Sequence, residues 1–422
     1  MSFGRNKKRS ILLSNVMESE EKGKKFFKQD EKILEEINEK NLSNLKYISN
    51  YTSYPITCNN NVDYYKLGDD VFPVMLEELK KAEKFIFFEY FIVAEGKMWN
   101  SILEILEEKA ANGVDVRVIY DDLGCLALLD ESYNKTLNKK GIKCIQFNKI
   151  GVDAGVIMNH RDHRKILVVD GKVAFSGGIN IADEYININS KYGHWKDNGM
   201  RIKGDAVWNY TVMFLEMWNA YKKEDDDFSK FKYDFSKKED GQGYVVPYGE
   251  NPFTDEKVAE NIYLNIISNA KKYIYIYTPY LIIDTDVINN LILAAKRGVD
   301  VRIVIPGIPD KKIVYTVSES YADPLVKGGV KVYRYTPGFV HSKVYVSDDK
   351  VATVGTINMD YRSLYLHFEC GCYFENVDII DDIKQDLLDS MEKSHEITID
   401  ETNPKPLKDL WQAFLRLLAP LM

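Results

Sequence analysis

Four polar residues recur at the same intervals in two places. The first set is His163, Lys165, Asp170 and Asn180; the second is His341, Lys343, Asp348 and Asn358. In each, Lys follows His by two positions, Asp follows Lys by five and Asn follows Asp by ten. Small pairs, Gly177-Gly178 and Gly355-Thr356, precede each Asn and permit close backbone approach. An imidazole is a nucleophile and an acid, an ammonium is a fixed positive charge, and an amide donates hydrogen bonds. Two such sets facing each other would surround one phosphate with paired imidazoles, ammoniums and amides. That equipment suits phosphoryl transfer through a phosphohistidine.

The elements that must position these residues are short strands. Ile166–Val169 and Val344–Val346 are apolar runs ended by Asp-Gly and Asp-Asp turns. Residues two apart on a strand share a face, so His and Lys point the same way. A lysine beside a buried strand needs a reason to be there, which argues against two ordinary core strands. Asp170 and Asp348 are expected to hold the turn and tether the lysine rather than react.

The surrounding pattern is duplicated too. Gly113-Val114-Asp115-Val116-Arg117 is answered by Gly298-Val299-Asp300-Val301-Arg302, and Lys140-Gly141-Ile142-Lys143 by Gly328-Gly329-Val330-Lys331. Helical patterns over Val71–Ala82 and Trp99–Ala111 alternate with strand patterns over Phe85–Val93, Val114–Tyr120 and Ile142–Phe147. This predicts an α/β fold of two pseudo-twofold-related halves, each a mixed, mostly parallel sheet flanked by helices. The halves are placed at 62–223 and 244–422. A basic, helical, membrane-proximal segment, 1–61, precedes them, with a helix over Glu31–Leu45. A charged linker, 224–243, joins them, and its Asp225-Asp226-Asp227 is read as a solvated loop rather than a cation site.

Composition removes several classes. The 422 residues carry a net charge of -8, which argues against a nucleic-acid binder with a basic face. Five cysteines show no metal-ligand spacing and fit reduced thiols. No run reaches the ~20 apolar residues of a membrane span. Two segments could meet a lipid surface instead: the basic cluster Arg5, Lys7, Lys8 and Arg9, whose plainer reading is a solvated terminus, and an amphipathic C-terminal helix over 407–422. That helix could equally dock on the core.

An attacking imidazole needs its second nitrogen held. Asp197 is assigned to orient His163 and Glu369 to orient His341, with Glu184 as competitor for the first role. His194 and His367 are candidate substrate contacts; His395 is expected at the surface.

The repeated set resembles the HxK-x4-D-x6-G-(G/S/T)-x-N signature of the phospholipase D superfamily. Within it, several blocks resemble bacterial cardiolipin synthases: Glu89-Tyr90-Phe91-Ile92, Trp195-Lys196-Asp197 with Arg201-Ile202-Lys203-Gly204, and Gly355 through Ser363. The Arg416-to-Leu421 ending is similar as well. Leu364 to Glu369 departs from the pattern, with His367 where Asn is usual. The resemblance implies a phosphatidyltransferase acting on phosphatidylglycerol to form cardiolipin at the cytoplasmic face of the bacterial membrane. It implies His163, Lys165, Asp170, His341, Lys343 and Asp348 as the catalytic sets and Asn180, Asn358, Lys165 and Lys343 around the phosphate. An anionic membrane surface is the expected partner; no nucleic acid, cofactor or metal is expected. Hydrolysis by water, or a nuclease of the same superfamily, is the alternative. Family members commonly begin with two transmembrane helices, and Phe3–Arg9 resembles the basic segment inside the second. An anchorless form, truncated or natural, is therefore expected.

Overall fold

Two reverse turns set the geometry of both halves. Asp170 and Gly171 have φ of 54° and 67°, and Asp348 and Asp349 have 57° and 58°. Asp tolerates this left-handed region better than most side chains, so the turns can be tight. Each folds a buried strand back on its neighbour. The computed structural model describes residues 3–150, 159–189, 191–235, 239, 241–402 and 406–417, with backbone alone for 3–10, 13 and 406–409.

The first half contains β1 (Asn60–Tyr65), β2 (Phe85–Tyr90), β3 (Asp115–Asp121), β4 (Lys143–Phe147), β5 (Lys165–Val169), β6 (Val173–Gly177), β7 (His194–Lys196) and β8 (Gly199–Gly204). The second contains β9 (Tyr244–Glu250), β10 (Tyr273–Tyr277), β11 (Leu281–Ile282), β12 (Asp300–Pro306), β13 (Lys331–Tyr335), β14 (Gly338–Val340) and β15 (Val344–Ser347). It continues with β16 (Val351–Gly355), β17 (Met359–Asp360), β18 (Glu369–Glu375) and β19 (Ser394–Glu396). One sheet runs β1-β8-β6-β5-β2-β3-β4; the other runs β19-β13-β12-β10-β15-β16-β18-β9. Helices flank both, so each half is a mixed α/β unit.

The balance within the sheets differs from the expected mostly parallel one. In the first, only β2–β3 and β3–β4 are parallel; in the second, only β10–β12 and β12–β13. Every other pairing in these sheets is antiparallel. Helical crossovers join only the opening strands of each half, and from the His strand onward tight returns impose antiparallel pairing.

The helix Val207–Lys222 is buried along nearly its whole length. A helix apolar on all sides belongs inside a core. It packs with Phe87, Ile166 and Val168 of the first half and Cys370, Cys372 and Phe374 of the second. The linker that follows is the solvated loop expected only in part: Asp226 and Asp227 are exposed, but the buried Asp225 carboxylate bonds Arg117 at 2.5 Å, and Phe228 and Phe231 are buried. Asp226 pairs with Lys22 at 2.7 Å, and Asp227 accepts from Ser229 N–H at 2.9 Å.

The opening segment is integrated into the body. Phe3–Lys24 is a helix packed on Val207–Lys222. In place of one helix over Glu31–Leu45 there are two, Glu31–Glu39 and Ser43–Tyr51. Their Ile33, Ile37, Leu45 and Ile48, with Ile56, join the core of the second half. The basic side chains of residues 5–9 lie outside the described residues. Among the described residues, no helix is long and apolar enough to cross a membrane.

Candidate active site

The His loops are stitched to the opposite half by backbone hydrogen bonds. His163 N–H donates to Phe368 C=O at 2.9 Å, and Phe368 N–H donates to Arg161 C=O at 2.8 Å. Symmetrically, His341 N–H donates to Lys196 C=O at 2.8 Å, and β14 pairs in parallel with β7. Phe368 immediately precedes Glu369, and Lys196 immediately precedes Asp197. Each stitch therefore delivers a carboxylate to the other half's imidazole. His163 Nδ1 lies 2.9 Å from both oxygens of Glu369, and His341 Nδ1 lies 2.6 Å from Asp197 Oδ2. This reverses the expected pairing of Asp197 with His163 and Glu369 with His341. A pseudo-twofold sequence is equally consistent with either; only the trans stitching distinguishes them. Glu184 lines the cavity but bonds neither imidazole.

The small residues behind the histidines have different tasks. A Cβ on Gly178 would stand 2.0 Å from Asp197 Oδ1, so this position must lack a side chain. Its counterpart Thr356 instead donates its hydroxyl to Glu369 Oε2. Asn180 is tied at both ends: Oδ1 accepts from Ile92 N–H at 3.1 Å and Nδ2 donates to Tyr185 Oη at 2.7 Å. Asn358 faces the same cavity, and its Oδ1 has no protein partner among the described residues.

Lys165 and Lys343 are buried beneath the cavity wall rather than on it. Each ammonium donates to the carbonyl of its own motif histidine, Lys165 at 2.6 Å. Asp170 does not tether Lys165; it accepts from the backbone N–H groups of Glu83, Lys84 and Phe85 at 2.8–2.9 Å. Asp348 does the same for Lys271, Lys272 and Tyr273 at 2.7–2.9 Å. Both aspartates thus join their turn to the start of the neighbouring strand, away from the imidazoles.

Burial sets the electrostatics. It pushes the His163 imidazole down to about 3, with Lys165 adding to the effect against the pull of Glu369. Burial and Lys343 likewise push His341 down to about 4, against Asp197. Burial would raise the Glu369 carboxyl, but the adjoining His163 holds it well below the usual carboxylate range. Asp197 is lowered in the same way by His341. Burial brings Lys165 down to about 8 and Lys343 to about 7. The resting imidazoles are thus neutral, donating Nδ1–H to a carboxylate and leaving Nε2 as the basic atom. An anionic phosphodiester in the cavity would favour protonation of either.

Both imidazoles line one cavity of about 660 Å³. Its walls are partly apolar, from Phe91, Ile92, Leu123, Ile282 and Val314, and partly polar, from Arg161, Tyr185, Lys311, Asp360 and Arg362. His367 also lines it. Its ring sits 5.7 Å from that of His163, its Nδ1 is 3.6 Å from Glu369 Oε1, and neither nitrogen has a hydrogen-bond partner among the described residues. His194, expected alongside it, instead meets Tyr335 Oη at 3.0 Å outside the lining set. His395 is exposed and paired with Glu401 at 2.8 Å. Arg161 and Lys311 carried no repeated spacing and were invisible in the sequence. Glu89 of the first block is fully buried 2.5 Å from Arg164, bracing the residue between His163 and Lys165. Among the described residues one set of donor atoms is close enough to share a metal: His163, His367 and Glu369, within 4.8 Å of one another. An ion bound there through His163 Nδ1 would replace its hydrogen bond to Glu369.

Comparison with known proteins gives the family. The family described as "Cardiolipin synthase, PLD-like domain" matches residues 75–218 and 263–391. The cardiolipin synthase of Alkalihalophilus pseudofirmus is 35% identical over 370 residues, covering 87% of this chain and 73% of that protein. A Streptococcus mutans protein named only as uncharacterized is 44% identical over 415 residues, covering 97% and 90%. The phosphatidylserine synthase of Haemophilus influenzae has the same fold, with a TM-score of 0.67 over 90% of this chain and 99% of that one, at 14% identity. Through the family match over both halves and this identity to named relatives, the chain belongs to the phospholipase D-like cardiolipin synthase family of phosphatidyltransferases.

Proposed function

We propose that the protein joins two phosphatidylglycerol molecules, forming cardiolipin and releasing glycerol. The observation that carries this reading is the crossed pair: two imidazoles on one cavity, each held at Nδ1 by a carboxylate of the opposite half. Such a pair can divide nucleophile and acid between equivalent groups.

In the first step His163 Nε2 attacks phosphorus of one phosphatidylglycerol. The P–O bond to its headgroup glycerol breaks, and His341, protonated, gives its proton to the departing oxygen. In the second step neutral His341 takes a proton from the glycerol hydroxyl of the incoming lipid. That oxygen attacks phosphorus, the N–P bond breaks and His163 is restored. A phosphodiester is exchanged for a phosphodiester, so the balance needs no nucleotide. Lys165 and Lys343 act through the low-dielectric interior on charge developing at phosphorus, and Asn358 and Asn180 border the phosphate. His163 is assigned as the nucleophile by its likeness to the N-terminal histidine of relatives.

Mass-spectrometric product analysis after incubation with phosphatidylglycerol tests the reading: cardiolipin and glycerol are expected, and phosphatidate alone would replace transfer with hydrolysis. The lysine charges lie where a metal's charge would otherwise be needed, so turnover is expected to persist in excess chelator. Activity lost to chelation and regained with a divalent ion would instead bring the His163, His367 and Glu369 set into use.

A further inference from the structure

Among the described residues, several exposed large apolar side chains lie within four positions of the cavity wall, and four more lie on the C-terminal helix. Leu126 and Leu128 are exposed just beyond Leu123 and Gly124 of the cavity wall; Ile188 follows Glu184 and Tyr185 of the same wall. Ile308 and Ile313 flank Asp310 and Lys311, also on the wall. The helix Lys312–Lys327 begins at this rim, and the C-terminal helix Pro406–Leu417 lies against it.

That C-terminal helix is docked and unsatisfied at once. One face is anchored: Leu415 and Gln412 are buried, and Arg416 donates to Ser320 and stacks on Tyr321 at 5.0 Å. The other face presents Leu410, Trp411, Phe414 and Leu417 to solvent, from 52% to 76% exposed. Contiguous apolar surface of this kind marks a docking site rather than chance exposure. The core-docked reading of this helix holds for one face, and Arg416, expected near headgroups, is turned onto Ser320 and Tyr321; the exposed face is what the interfacial reading has to rest on. Two exposed lysines stand among the apolar groups over aromatic cavity residues: Lys191 Nζ is 4.9 Å from the Tyr192 ring and Lys311 Nζ is 5.5 Å from the Tyr280 ring. Apolar side chains interspersed with lysine suit the interface of an anionic bilayer.

We propose that the cavity mouth and the free face of Pro406–Leu417 form one surface that lies flat on an anionic phospholipid bilayer. The inference rests on the lipid substrate of the proposed function. A lipid drawn upward through such a mouth keeps its acyl chains in the bilayer while its phosphate reaches His163 and His341. Lys191 and Lys311 would meet headgroup phosphates at the rim.

The test separates docking from chemistry. Trp411 is 53% exposed, whereas Trp99, Trp208 and Trp218 are buried and Trp195 lines the cavity, so a fluorescence shift on adding vesicles that persists in W195F reports this face. Phosphatidylglycerol-containing vesicles are expected to blue-shift the emission and co-sediment the protein, and neutral phosphatidylcholine vesicles to do so more weakly. The variant L410S/W411S/F414S/L417S, and separately L126S/L128S/I313S, should lose vesicle binding by about tenfold or more. Both should keep transfer activity on dispersed short-chain phosphatidylglycerol below its micelle concentration. Unchanged vesicle binding in both variants would overturn the proposal. So would a wild-type dimer in sedimentation velocity that the helix variant converts to monomer, because a second copy would then cover the face. Failure of the wild type on the short-chain lipid would defeat the proposed reaction while leaving the vesicle measurement to judge the surface.

Discussion

At the scale of single residues, crossing makes the two carboxylates distinguishable. Glu369 serves the imidazole assigned to attack, and Asp197 the one assigned to move protons. E369Q should therefore behave like H163A, with no covalent adduct, whereas D197N should behave like H341A. With a substrate whose leaving group needs no proton, D197N should accumulate the lipid adduct on His163. Each substitution should lower turnover by roughly 10³–10⁴-fold, as misorienting a catalytic imidazole does elsewhere. An adduct trapped in E369Q but not in D197N would reverse the assignment. The pH profile follows from the same groups. A histidine is protonated below its pKa, so kcat/KM should fall on the acid side as the nucleophile, near 3 in the free enzyme, takes up a proton. His341 must carry a proton in the first step, so kcat/KM should decline above about 4 as that proton is lost, and a second alkaline limb should follow loss of charge on Lys343 at about 7 and Lys165 at about 8. K343R keeps its charge and should move that limb to higher pH; a limb that stays in place would assign it to another group.

At the scale of elements, the linker between the halves is a structural member. Arg117 on β3 and Asp225 are both almost fully buried, and the guanidinium stacks between Phe87, Trp218 and Phe231 at 5.1–5.3 Å. Removing Asp225 takes from the buried guanidinium one of its two carboxylates, leaving Asp115 at 2.8 Å, and empties a well-packed polar site. D225A is expected to cost roughly 3 kcal/mol in urea unfolding. A cost below ~0.5 kcal/mol, typical of a surface pair, would return the segment to the role of a solvated tether. Here the sequence was misleading for a definite reason. Charge density in 222–243 has the composition of a loop, and its partner Arg117 lies 108 positions away. The strands were far more legible, because the apolar runs at 85–90 and 115–121 have local patterns that survive in the fold.

At the scale of the whole molecule, the chain start is part of the second half's core. Ile33, Ile37, Leu45, Ile48 and Ile56 are all nearly or completely buried there. At ~1.5–3 kcal/mol for each buried aliphatic side chain, their sum rivals the ~5–15 kcal/mol net stability of an ordinary protein. Deleting residues 1–58 should therefore lower Tm sharply or abolish soluble folding. An unchanged melting curve would mean that the segment is a detachable membrane-proximal appendage.

What the amino-acid order determined alone was the duplicated chemistry: His163 with Lys165, His341 with Lys343, the turns at Asp170 and Asp348, and the α/β alternation around them. These are short-range properties, set by spacing, strand periodicity and turn preference. What only the tertiary structure decided was which carboxylate serves which imidazole, where the lysines lie, and that the last helix packs on Lys312–Lys327 with one apolar face left exposed. Those contacts join residues 144 and 206 positions apart in a chain whose halves are near-equivalent. Local patterning is the same for cis and trans pairing, so the choice is made only when β7 meets β14 and Phe368 meets the His163 loop.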